Sequence, residues 1–225
     1  MTKIIWDAVG EHLFETGTDR GVLYPILSAG TYDKGIGWNG LTGVTESPSG
    51  ADETKLYANN KKYLGIRAAE DFGGTITAYT YPDEWEDCDG GASPVKGVRI
   101  FQQNRKPFGL SYRTLIGNDT EGEAHGYKIH IVYNATCSPA SRDYKTVNDS
   151  PEAIEMSWEF TTTPIDVSGY KPTSHLEIDS TVVDAEKLKK LEDMLYGTES
   201  EEPKLPLPAE VFSILGTALT LVRNS

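Results

Sequence analysis

Apolar and polar residues alternate most strictly in the stretch 150–164. Ile154, Met156, Trp158 and Phe160 alternate with Glu155, Ser157, Glu159 and Thr161. A period of two predicts a strand with one buried face and one wet face. Pro151 and Pro164 bracket it, which suits strand ends because proline cannot donate to a ladder. The same period runs through Phe108, Leu110, Tyr112 and Thr114, against Gly109, Ser111, Arg113 and Leu115. It returns in Tyr127, Ile129, Ile131 and Tyr133, after the polar turn 117–122. Two such runs around a turn predict a hairpin. Shorter strand-like runs cover 41–46, 61–68 and 74–81, with a polar loop over 46–54. Asn59-Asn60 suits a turn between Leu56-Tyr57-Ala58 and Tyr63-Leu64, and residues 71–74 form another. Pro82 opens a short acidic turn or helix over 83–89.

A helical period appears late. Leu188, Leu191 and Leu195 make an apolar stripe in 184–196, with Asp184 as N-cap and Gly197 as stop. Residues 198–202 form an acidic linker, and the proline-rich 203–208 predicts an extended spacer able to reach a surface beyond its own domain. The tail 209–222 has Val211, Phe212, Leu215, Ala218, Leu219 and Val222 at helical spacing, while Thr217 and Thr220 leave a strand open. Burying such large apolar side chains is worth about 1.5–3 kcal/mol each, so the tail is expected to dock. At the other end, residues 1–40 are rich in glycine and lack clear periodicity. They read as an arm and loops, with Ile4, Ile5 and Trp6 as a possible edge strand. The aromatics Phe14, Tyr24, Tyr32 and Trp38 favour ordering against a surface. The chain thus divides into an arm and loops over 1–40, a β domain over 41–197 and a tail over 198–225.

Composition narrows the function classes. With 225 residues, 38% hydrophobic and 24% charged, the chain reads as soluble and globular. Its formal charge of -13 excludes a usual nucleic-acid binder, which neutralises phosphates with Lys and Arg. No long apolar segment opens the sequence, so a signal peptide is not expected. The apolar run 211–222 falls short of the ~20 residues that span a bilayer, so no membrane insertion is expected. Cys88 and Cys137 lack a CxxC or a nearby histidine and read as buried free thiols.

The chemical motifs are thin. Residues 35–40 match GxGxxG, but a strand follows where the nucleotide-binding motif needs a helix. The histidines, at positions 12, 125, 130 and 175, show no metal-ligand spacing. His130, within a strand, reads as a surface or satisfied histidine. Asp83, Glu84, Glu86, Asp87 and Asp89 lack the EF-hand register and read as a solvated face. Glu155 and Glu159 do not suggest hydrolysis, and Ser157 has no histidine that sequence can pair with it. No catalytic set, cofactor or metal is expected, so the chain is not read as an enzyme.

The stretches GLTGVTESPSGADETKLYANNKKY, AEDFGGTITAYTYPDEWEDCDG, QNRKPFGLSYRTLIGNDTEGEAHGYKIHIVYNATCSP and SPEAIEMSWEFTTTP resemble the major tail protein of long-tailed bacteriophages of Gram-positive hosts. The resemblance covers roughly residues 1–197 in order. It implies a mainly-β sandwich or barrel protomer with a flanking helix. Such subunits form hexameric rings stacked into a tail tube, and strands of neighbouring subunits join one closed barrel around a DNA channel. It further implies a virion structural protein assembled in the host cytoplasm. The expected partners are other copies and other tail proteins such as the tape measure, distal tail and tail terminator proteins. DNA would pass without specific binding. On this reading Ser47, Pro48, Ser49, Gly50 and Asp52 are expected in an inter-subunit loop, and Glu155 and Glu159 are expected to face the lumen. A different class, a carbohydrate-binding or adhesin sandwich with exposed aromatic platforms, is compatible with the same pattern.

Overall fold

The computed structural model describes residues 3–27, 30–147, 149 and 152–216. In chain order its elements are β1 (Phe14–Pro25), β2 (Ile36–Gly37), β3 (Leu41–Glu46), β4 (Ser49–Gly50), β5 (Glu53–Ala58), β6 (Lys61–Arg67), β7 (Glu70–Asp71), β8 (Gly73–Ala78), α1 (Trp85–Cys88), β9 (Ala92–Val95), β10 (Val98–Ile100), β11 (Phe108–Asn118), β12 (Gly122–Cys137), β13 (Met156–Thr162), β14 (His175–Asp179), α2 (Ala185–Tyr196) and α3 (Pro208–Leu215). The architecture is mainly β. One antiparallel sheet runs β2-β1-β11-β12-β13-β8-β3, and β14 also pairs with β12.

The long strand β12 sets this topology. Its middle pairs with β14 from Lys128 to Val132, and its last residues, Ala135 to Cys137, pair with β13. Between them the register against β11 slips. Asn134 takes φ 48° there, a left-handed conformation that asparagine tolerates better than most residues. This bulge lets one strand serve two neighbours on the same side.

The central strands are buried on both faces. Leu23, Phe108, Leu110, Tyr112, Val132, Ala135, Trp158 and Phe160 point into one core together with Trp38, Ile76 and Trp85. Val22, Tyr24, Ile129, Ile131 and Tyr133 point into a second core, beneath Leu188, Leu191 and Leu195 of α2, Leu205, and Val211 of α3. The first core is aromatic: Trp85 lies 4.7 Å from Trp38 and 5.5 Å from Trp158 between ring centroids. The sheet curls around it until its ends approach. A Cβ added to Gly21 of β1 would fall 2.6 Å from Leu41 Cδ2 of β3, so glycine permits this closeness. The sheet nevertheless stays open, with β2 and β3 at its two ends.

Helix α2 caps as its sequence specifies. The Asp184 side chain accepts from the backbone N–H groups of Glu186 and Lys187. Leu191 is fully buried, so Leu191→Ala is expected to cost about 2–5 kcal/mol, read as a lower denaturant midpoint at an unchanged slope.

Several sequence expectations need correction. Residues 14–25, read as part of the arm and loops, form a strand in the sheet. Register shifts after Thr16 and Asp19 break the period of two, and φ values of 64° at Gly17 and 50° at Arg20 accompany them, so the alternation that marks a strand is lost. The segment 46–54 is not a loop but one leg of a long hairpin, because Ser49 and Gly50 pair with Asp71 and Glu70. The proline spacer does not carry the tail beyond its own domain. The backbone N–H of Lys204 donates to Met194 O at 2.7 Å, and that of Gly35 to Pro203 O at 2.9 Å. Leu205 fills the space beside Gly109, where a Cβ would collide with it. Val211 is buried against the chain's own sheet and α2. The tail's Ala218, Leu219 and Val222 lie outside the described residues. The possible edge strand Ile4, Ile5 and Trp6 is exposed and outside any strand, and Ile154, read as part of the buried face of the 150–164 strand, precedes β13 and is exposed.

A bidentate pair ties β1 to β11 where Asp19 stands opposite Arg113. Arg113 Nε and Nη2 donate to Asp19 Oδ1 and Oδ2 at 2.7 and 2.5 Å. The hydrogen bond from Arg113 holds the Asp19 carboxyl below its ordinary pKa. A depressed carboxylate contributes stability above its unfolded pKa, ~3.9, and loses it as the pH falls through the folded value. Asp19 is well exposed, so the contribution is at most about 1 kcal/mol. Asp19→Asn is therefore expected to lower the thermal midpoint at pH 7 and to converge on the parent only once the pH has fallen below the depressed folded value. Parallel curves at pH 7 and below that value would remove this role.

Candidate functional site

Three surfaces stand out once the fold is in place. The first is the hairpin rooted on β3 and β8 and continued by β4 with β7 and by β5 with β6. Asn59 and Asn60, with φ of 49° and 62°, supply the left-handed pair that a tight type I′ turn requires. The pairing of β5 with β6 runs from Glu53 opposite Arg67 to Ala58 opposite Lys61. Every residue of β5 is exposed, and all but Gly65 of β6. Leu56, Tyr57, Tyr63, Leu64 and Ile66 are all open to solvent, Tyr63 at 76%. An isolated two-stranded hairpin is marginal in water, and clustered exposed apolar residues mark contact surfaces. Lys62 ion-pairs with Glu53 along the arm. Ser47, Pro48, Ser49, Gly50 and Asp52 lie in the stalk and are all exposed.

The second surface is the outer face of β3, β8 and β13. Helices cover the back of the β1–β11–β12–β14 half, but this half carries Thr45, Thr75, Thr77, Ser157, Glu159 and Thr161 on its outer side, as their alternation with buried neighbours requires. The register sets Thr45 beside Thr75, and Thr75 beside Glu159. None of the three strands contains lysine or arginine. Glu155 stands just before β13, exposed, and accepts a 2.5 Å hydrogen bond from Thr42 Oγ1. The fold thus brings both glutamates to one hydroxyl-rich sheet face, with Lys145 lining the same cavity as Glu155 at its edge.

The third is a polar cluster at the root of the hairpin, where β3 ends. Glu46 Oε1 lies 3.3 Å from His130 Nδ1 and 3.6 Å from His175 Nε2, and the two imidazole nitrogens are 3.3 Å apart. Tyr112 donates to Glu46 Oε1 at 2.5 Å, and Thr114 Oγ1 meets His130 Nε2 at 3.0 Å. Four rings stack through the cluster: Tyr112 on His130, His130 on His175, and His175 on Phe72, with interplanar angles of 3°, 3° and 14°. The His130 hydrogen bond, helped by Tyr112 and His175, lowers the Glu46 pKa to about 2 against the opposing effect of burial. Burial lowers the pKa of His175 and raises that of Tyr112. Sequence spacing gives no hint of this cluster, because its members are 84 and 45 residues apart, from 46 to 130 to 175. The only local signal is His130 among apolar neighbours in a strand period.

No family model matches the sequence, and no curated protein matches it. Three solved structures illustrate the resemblance of the fold. The sheath–tube complex of an extracellular contractile injection system, PVC, in the extended state aligns with a TM-score of 0.32 and 12% identity, over 78% of this chain and 94% of that one. The sheath/tube terminator of that system, also extended, gives 0.33 and 13%, over 64% and 89%. The tube-terminating cap of the anti-feeding prophage gives 0.34 and 9%, over 80% and 97%. Likenesses this distant carry no argument about function.

The remaining candidates are occupied by ordinary contacts. Asp83 and Glu86 pair with Arg99, Asp87 with Lys106 and Asp89 with Arg142, so most of that acidic run is engaged in ordinary ion pairs. Cys88 and Cys137 are free and buried, and burial pushes both thiols up to about 12, which makes them poor nucleophiles. Residues 35–40 hold the short β2 and a turn into β3, with no helix start.

Proposed function

We propose that this chain is a structural subunit of a phage-type tail tube. Copies associate side by side into rings, hexameric as the sequence resemblance implies, and the rings stack into a hollow tube through which DNA passes. The observation that carries this reading is the hairpin of β5 and β6: a long arm with apolar residues exposed on both faces, projecting from a sheet with open edges. Exposed apolar residues clustered on such an arm mark a contact surface. An open sheet edge offers unpaired backbone groups for a neighbouring strand, and head-to-tail contacts that do not close generate filaments. The partners are other copies of the chain, and at the tube's ends and bore other tail proteins such as the tape measure, distal tail and tail terminator proteins. The particle is the virion tail, assembled in the host cytoplasm.

Electron microscopy of the purified protein, raised in steps of concentration, tests this directly. Rings or tubes of uniform diameter are expected, with a matching rise in scattering mass. A particle that stays at 24.7 kDa at millimolar concentration and binds glycans would replace the tube by a sugar-binding module.

A further inference from the structure

We propose that Glu46, His130 and His175 form a binding site for a zinc-class divalent ion, and that the ion locks the root of the hairpin to the sheet. The geometry carries the inference. The three candidate ligand atoms form a triangle with edges of 3.3, 3.3 and 3.6 Å. Two atoms held at about 2.0–2.1 Å from a tetrahedral zinc stand about 3.3–3.4 Å apart. As hydrogen bonds the same separations are long, since the usual N–H···O distance is about 2.9–3.0 Å. A neutral imidazole also has one N–H and one lone pair. With Nε2 of His130 facing Thr114, a proton on Nδ1 can serve Glu46 or His175 but not both, while Glu46 Oε1 also accepts from Tyr112. A cation at the centre satisfies all three.

The surroundings match what a ligated histidine needs. The nitrogen of His130 that does not face the cluster has Thr114 Oγ1 at 3.0 Å, an outer partner that fixes the ring and its tautomer. The stack of Tyr112, His130, His175 and Phe72 holds both ring planes. His130 is only 5% exposed, while Glu46 reaches the surface and leaves a route for the ion and a place for water. Two imidazoles with one carboxylate is a donor set suited to zinc, not to calcium or magnesium, which take oxygen ligands. Glu46 ends β3, His130 lies in β12 and His175 begins β14. Phe72, which stacks on His175, lies on the returning leg of the arm. An ion here ties both legs of the hairpin root to the centre of the sheet.

The test uses the untagged full chain, stripped with chelator and titrated with zinc chloride by calorimetry, with bound metal counted by mass spectrometry. One ion per chain is expected, and cobalt(II) in its place is expected to give the intense visible bands of a tetrahedral site. Glu46→Gln and His175→Ala are each expected to abolish stoichiometric uptake. Thr114→Val, which removes only the outer partner, is expected to weaken binding about 10-fold. A His12→Ala, His125→Ala double variant controls for surface histidines and is expected to keep one ion. Should His175→Ala not fold, as judged by circular dichroism, Glu46→Gln and Thr114→Val carry the test. Uptake below a tenth of an ion per parent chain, or uptake untouched by Glu46→Gln, overturns the site. The assay reads the isolated chain and stands whether or not tubes form.

Discussion

Replacing residues 51–69 with a two-residue Asn-Gly turn leaves a folded monomer that no longer polymerises. The cut is placed where the stalk is already paired, Ser49 with Asp71 and Gly50 with Glu70, so the new turn closes an existing ladder. Nothing in either core is lost, because the removed residues contribute to neither. The thermal midpoint should therefore stay near that of the parent, while sedimentation shows only the monomer and micrographs show no tubes. The reason is apolar area. Tyr57, Tyr63 and Ile66 are more than half exposed in the single chain, and covering such surface is worth about 25 cal/mol per Å². A Tyr57→Ser, Tyr63→Ser pair keeps the arm's backbone and removes its two largest exposed rings. It should raise the critical concentration for assembly without changing the monomer. The stalk residues Ser47, Pro48, Ser49, Gly50 and Asp52 offer far less apolar area, so substitutions there should matter less than those near the tip. Tubes of normal length from the truncated chain would sink the proposal that the arm joins subunits.

What could be read from the sequence follows from how local each signal is. The stripe of Leu188, Leu191 and Leu195 with its Asp184 cap needs no other part of the chain, and α2 is where that pattern puts it. The alternation from Met156 to Phe160 likewise marks β13, and the buried positions are the apolar ones. Strand β1 escaped because two register shifts interrupt its period. The stalk escaped because Ser49-Gly50 and Glu70-Asp71 are strand only by virtue of each other; neither pair has a side-chain pattern of its own. The spacer 203–208 looked extended, and it is, but its docking depends on a gap above Gly109 that sequence does not display. The histidine cluster is the extreme case. Its three members come from three strands, and only the pairing of β12 with β14 places His130 and His175 together. Glu155 and Glu159 were legible as wet, but which wet surface they share is set by the order β13-β8-β3.

Reversing charge on that shared face gives the second large effect. Glu155→Lys with Glu159→Lys is expected to leave tubes that look normal by microscopy and to slow or block delivery of the genome through them. The proposal is that the outer face of β3, β8 and β13 lines the bore. Helices already cover the other half of the sheet, and the three strands of this half turn hydroxyls and a carboxylate outward and contain no lysine or arginine. A channel of that kind does not grip phosphates. Each lysine added makes a phosphate contact that releases counterions, and the ring symmetry repeats it at every level of the tube, so the contacts act in series on one duplex. Stability should change little. Glu159 is exposed, and Glu155 loses only its bond from Thr42, worth about 1 kcal/mol. The salt response separates charge from shape. The electrostatic hold is screened over ~8 Å at physiological ionic strength and over ~3 Å at 1 M, so raising salt should restore delivery through lysine-lined tubes. The neutral pair Glu155→Gln with Glu159→Gln adds no cation and should deliver nearly as well as the parent. Normal delivery from intact lysine variants at low salt would put this face on the outside of the tube instead.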